Sequence, residues 1–169
     1  MPKKTDLYAN KFYGKAVESA ANTLTFAEIQ TNVSIFEKMA WILHRLEYFI
    51  SPASMGLIDD SPDSITMALT GSENITTLGL ENPAVIDTYT LGMKKLSGVG
   101  FQFTSVPIVR DFSELPGGGI IVSPRPLFMA IQGASLASAA TVEMRGYFTV
   151  QALSSDEYLE LVDFYRIVR

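Results

Sequence analysis

Histidines, cysteines and clustered carboxylates are the side chains that most often carry out chemistry, and this chain holds few of them in useful arrangements. It has one histidine, His44, and no cysteine. A Ser-His-Asp relay could be built only around His44, and no G-x-S-x-G elbow accompanies it, so a structural histidine is expected. The lack of cysteine excludes disulfides, zinc-thiolate sites, iron-sulfur clusters and thiol nucleophiles together, and it fits a reducing compartment. Asp59, Asp60 and Asp63 share a loop with Ser61 and Ser64. Clustered loop oxygens can hold calcium, but the EF-hand pattern is missing and solvated turn residues are the expectation. Pro116-Gly117-Gly118-Gly119 and Gly98-Val99-Gly100 lack the Gly-Lys-Ser/Thr and following helix of a phosphate cradle. Both read as turns. No catalytic residue, cofactor or metal is expected, and the chain reads as a binding or assembly protein.

Composition narrows the classes further. A chain of 169 residues is the size of one domain and can bury a core without a staple. Only 18% of its residues are charged against 47% hydrophobic, where an average domain has about 25% charged. Much of its surface must therefore be neutral or apolar, which usually means a partner. No apolar run reaches the ~18 residues of a membrane span, and the N-terminus has no signal-peptide stretch. The net charge of -5 argues against a body that neutralises phosphates. Residues 1–21 are mildly basic, with Lys3, Lys4, Lys11 and Lys15. Nucleic-acid contact is at most weak and confined to those lysines.

The elements that would position any site are mostly strands. Residues 1–21 lack a sustained period yet carry Tyr8, Phe12 and Tyr13, too aromatic for a free tail, and read as an extended arm that packs on a neighbouring subunit. Residues 22–169 form one domain. Alternation predicts strands over 23–33, 40–50, 64–70, 99–112, 120–132 and 140–153, the last three as an antiparallel meander. The 40–50 stretch also fits a helical period. Asn82-Pro83, followed by Val85, Ile86, Tyr89 and Met93 and closed by Lys94-Lys95, predicts a helix over 83–96. Ser154 and Glu157 form a capping box that starts a second helix over 155–167. Arg110, Arg125 and Arg145 are expected to be salt-bridged sheet residues. Tyr48, Tyr89 and Tyr147 are the aromatics that a binding face could present.

The run Gly119-Ile120-Ile121-Val122-Ser123-Pro124-Arg125-Pro126-Leu127-Phe128, the long strand over 141–153 and the aromatic arm resemble the single jelly-roll coat proteins of icosahedral viruses, in size those of tailless bacterial and archaeal viruses. The resemblance implies an antiparallel β-sandwich of jelly-roll type with an N-terminal arm, an inserted helix and a C-terminal helix. It also implies a structural capsid protein, made in the host cytoplasm and resident in the virion, that self-assembles with or without a second coat protein. The arm departs from many plant-virus coats in not being arginine-rich, which weakens any genome-binding role. The alternative is a non-catalytic β-sandwich binding module, either carbohydrate-binding or a phage decoration or tail-associated protein.

Overall fold

The computed structural model describes residues 9–29, 38–51, 54, 63–93, 107–123 and 126–167. Among the described residues, nine strands follow in chain order: β1 (Asn10–Val17), β2 (Thr25–Ile29), β3 (Met39–Ile50), β4 (Asp63–Thr70), β5 (Val85–Met93), β6 (Ile108–Asp111), β7 (Ile120–Val122), β8 (Leu127–Ala134) and β9 (Thr141–Ala152). A helix, α1 (Ser155–Ile167), ends the described chain. One sheet has the order β1-β9-β3-β6, with β7 also on β3, and the other has the order β2-β8-β4-β5.

Every pairing is antiparallel, and the pairs are nested. β1 lies on β9, β2 on β8, β3 on β6 and β7, and β4 on β5. The chain is thus a single long hairpin with its tip between β4 and β5. Rolling that hairpin up sets β9 against β3 and β8 against β4. This is an antiparallel jelly-roll sandwich, in which one split strand position is shared by β6 and β7.

Alternation puts one face of each strand into the space between the sheets. Phe12, Trp41, Leu43, Leu46, Met144 and Phe148 come from the first sheet, and Ile29, Ile65, Met67, Leu69, Met129 and Ile131 from the second. A smaller cluster of Ala68, Leu78 and Ala130 lies on the outer side of the second sheet, with Phe26 and Ile75 packed against it. The 71–84 connection thereby covers part of that face.

The expected strands at 40–50, 64–70 and 140–153 and the helix at 155–167 are present within a residue or two. The capping box is made: the Ser154 backbone N–H donates to Glu157 Oε2 at 2.8 Å, and the Glu157 N–H donates to Ser154 Oγ at 3.3 Å. Of the expected 23–33 strand, Thr25–Ile29 is strand and 30–33 lies outside the described residues. Of the expected 99–112 strand, Ile108–Asp111 is strand and 99–106 lies outside them.

Three expectations are overturned. The helix expected over 83–96 is strand β5 as far as Met93. Asn82 does cap, but as a turn: its Oδ1 accepts the Ala84 N–H at 3.1 Å and its carbonyl accepts the Val85 N–H at 2.9 Å. Pairing with β4 from Asp63 to Thr70 then wins over the local helical signal. The strand expected over 120–132 is two strands in opposite sheets, one ending at Val122 and the other beginning at Leu127, and the sequence between them holds two prolines, which cannot donate to a ladder. There is accordingly no meander, because β8 and β9 pair with strands distant in sequence.

The arm is the third correction. Residues 10–17 are an edge strand of the chain's own sheet, paired residue by residue with β9. Phe12 is 5% exposed and Ala16 fully buried in the chain's own core. Burying Phe12 there stabilises the fold by about 2–3 kcal/mol, which is the physical reason the segment does not stand free. Tyr8 lies outside the described residues.

Candidate interaction surface

His44 sits where the β3 partner strand is interrupted. β3 pairs with β7 through Trp41–Leu43 and with β6 through Arg45–Tyr48, and the β3–β9 register shifts between Leu43 and Arg45. His44 is the bulged residue. Its Nδ1–H donates to the Gly118 carbonyl at 2.7 Å, so in the neutral ring Nε2 accepts the Thr149 hydroxyl at 2.9 Å. The Phe112 N–H donates to the His44 carbonyl at 2.7 Å. Gly117 and Gly118 take φ of 89° and 77°, the left-handed turn their run suggested. His44 therefore ties down the 112–119 excursion, with both ring nitrogens engaged.

Of the expected calcium loop, Asp59 and Asp60 lie outside the described residues. Asp63 is the first residue of β4 and is 2% exposed, so it is not a solvated turn carboxylate. No cluster of metal-ligating side chains occurs among the described residues.

The outward face of the first sheet carries the densest functional grouping. Register sets it as three rows across β1, β9 and β3: Lys11, Tyr147 and Arg45; Tyr13, Arg145 and Glu47; Lys15, Glu143 and Phe49. Four cations thus share a face with three aromatic rings and two carboxylates. Arg145 lies over both the Tyr13 and Phe49 rings at 5.6 Å, and Lys11 and Arg45 lie over Tyr147 at 5.8 and 5.9 Å. Glu47 is buried beneath them, paired to Arg45 at 2.7 Å and to Arg145 at 3.5 Å. The Tyr147 hydroxyl, followed by Glu47 among the weaker contributions, holds the Arg145 guanidinium charged above its ordinary range. A recess of about 280 Å³ opens between Tyr13, Lys15, Phe49 and Arg145. Tyr13, one of the expected arm residues, is 62% exposed at its rim. Lys11 and Lys15 point outward here, while Lys3 and Lys4 lie outside the described residues.

Two buried polar clusters were not legible as sites. Asp87 on β5 accepts the Tyr48 hydroxyl at 3.0 Å and Arg110 Nε at 3.2 Å, joining both sheets. Tyr48 is fully buried, so it cannot present a binding face; burial first and the Asp87 charge second push its pKa well above 10.0. Tyr89 packs partly against the core, which leaves Tyr147 as the member of that trio on an outer face. Arg110 and Arg145 are salt-bridged as expected, and Arg125 lies outside the described residues. Glu18, 3% exposed just after β1, accepts the Gly133 N–H at 2.6 Å and the Ala140 N–H at 2.8 Å. Asn22 brackets Leu136 in the same connection, donating to its carbonyl at 3.0 Å and accepting its N–H at 2.8 Å. Both tie the β1–β2 turn to the β8–β9 turn. Only a cross-strand partner list could have revealed them, since neither has a sequence motif.

The fold and this face define a jelly-roll sandwich with a mixed cationic and aromatic outer sheet. No protein-family model matches the chain, and no curated protein does. Among solved structures, it is similar to a chain from work titled "Bacillus endospore appendages form a novel family of disulfide-linked pili". That match has 13% identity, covers 91% of this chain and 93% of that one, and has a TM-score of 0.35. A score that low carries no inference about fold or function. No helix among the described residues is long and apolar enough to cross a membrane.

Proposed function

We infer that the chain is a structural, non-catalytic subunit of a virion shell: a single jelly-roll coat protein that self-assembles through copies of itself, with or without a second coat protein. The observation that supports this best is the nested strand order, since double-sheet jelly rolls of this kind serve as capsid domains. The low charge fraction and the exposed aromatic and cationic sheet face supply surface for neighbouring subunits. Nucleic acid would be met weakly, through outward lysines such as Lys11 and Lys15. Negative-stain microscopy and particle mass test the reading. Megadalton shells are expected, and a protein that stays monomeric or dimeric at every concentration would exclude it.

A second reading, a carbohydrate-binding module, draws on the recess beside Tyr13 and Phe49. It predicts saturable glycan binding by a monomer, lost on Tyr13→Ser.

A further inference from the structure

The C-terminal helix carries an exposed acidic stripe. Asp156, Leu159, Glu160 and Asp163 fall at i, i+3, i+4 and i+7, which places them on one helix face. All four are exposed, Leu159 at 60%. In their own chain the three carboxylates make no ion pair among the described residues. The opposite chemistry is displayed on the first sheet, where Lys11 and Lys15 flank Tyr13 along the outer side of edge strand β1. Lys15 is 60% exposed and its pairing to Glu143 at 3.3 Å lies at the surface, where such a contact is worth little.

The two surfaces match in pattern as well as sign. Each has an apolar centre, Leu159 on one and Tyr13 on the other, with like charges on both sides. A helix of 13 residues is about 20 Å long, enough to span three strands spaced about 4.8 Å apart. Along β9, Ala152 lies roughly 23 Å from Arg145 at about 3.3 Å per residue, so the strand end that leads into α1 is well separated from the centre of the face.

We propose that the acidic stripe of α1 docks on the outer face of β1 in a second copy of this chain. The contact is head-to-tail: each copy offers one helix and one face, so such contacts close into rings or run on as filaments, and in a shell they would act beside other contacts. This inference rests on the self-assembly reading above and names the surfaces that would carry it.

Sedimentation velocity across protein concentration, at low and high salt, supplies the test. The wild-type chain should assemble, less so as salt shortens the screening length. A helix variant (Asp156→Lys, Glu160→Lys, Asp163→Lys) and a face variant (Lys11→Glu, Lys15→Glu) should each lose about tenfold or more in association. Their equimolar mixture should co-assemble in alternation, since the reversed helix fits the reversed face and the unchanged helix of the face variant fits the unchanged face of the helix variant; this recovery also shows that both variants fold. The chain with both reversals should regain full assembly. If the helix variant assembles as the wild type does, or the mixture fails to co-assemble, the inference is wrong while self-assembly stands. If the wild-type chain is monomeric throughout, the self-assembly reading falls and takes the inference with it.

Discussion

Gly146 lies directly beneath the Phe12 ring, its cross-strand partner on β1, and a Cβ there would run into that ring. Phe12 would then have to leave its contacts with Trp41 and Phe148, whose ring centroids lie 6.2 and 5.9 Å away. Gly146→Val should therefore lower stability by about 1–3 kcal/mol, read from urea midpoints. Adding Phe12→Ala should be much less than additive, because the ring that clashes is gone. Additive losses would show that the two residues do not share the strain. His44 makes a different kind of prediction. His44→Leu changes the side-chain volume little but strands the Gly118 carbonyl and the Thr149 hydroxyl, so about 1–3 kcal/mol should be lost, together with hydrogen-exchange protection around residues 112–119. Unchanged protection there would remove its role as a tie. Sequence alone announced a structural histidine because its catalytic partners were missing; the bulge it fills was hidden, since inward positions read 41 and 43 before it and 46, 48 and 50 after it. That change of phase also explains why the same stretch fitted both a helical and a strand period.

Among the elements, β1 and β5 show what local sequence could not supply. Residues 10–17 do alternate, with Phe12, Gly14 and Ala16 facing inward, but two of the three are small, so the pattern is faint until β9 is set beside it. Val85 to Met93 carries five β-branched residues or aromatics, yet Asn82-Pro83 and the trailing lysines imitate helix ends. Only the partner strand decides between them. By contrast, β4, β9 and α1 carry their own signals in clean alternation and a capping box, and they were legible. The expectation that residues 1–21 form an arm packed on a neighbouring subunit therefore reverses for Asn10–Val17. Deleting residues 2–21 removes β1, Phe12 and the Glu18 clamp on Gly133 and Ala140. The truncated chain should lose cooperative thermal unfolding, whereas Tyr13→Ser, at an exposed position, should leave the midpoint within a few degrees. A truncation that melts cooperatively near the wild-type temperature would mean that β1 is dispensable.

For the whole molecule, the jelly roll pairs its first and last described strands, so its closure depends on contacts far apart in sequence, and such topologies fold in milliseconds to seconds. Besides the apolar core and the Glu18 clamp, the two sheets are tied together by the Tyr48, Asp87 and Arg110 cluster, contributed by β3, β5 and β6. Its pH dependence follows from the direction of the Tyr48 shift. In the unfolded chain the phenol releases its proton near 10.0, whereas in the fold burial and the Asp87 carboxylate hold the proton to higher pH. The folded state thus binds more protons than the unfolded one in the range above 10.0, so the contribution is fully present below that value and declines as pH rises through it. Tyr48→Phe has no proton to lose. At pH 7 the variant should be less stable by about 1 kcal/mol, having given up the hydrogen bond to Asp87. Other groups titrate in alkali in both proteins alike, so the difference between the two isolates Tyr48. Urea midpoints of wild type and variant should converge between pH 10 and 11.5, with the wild type falling more steeply; midpoints that stay parallel over that range would show that the buried phenol does not couple the sheets to pH.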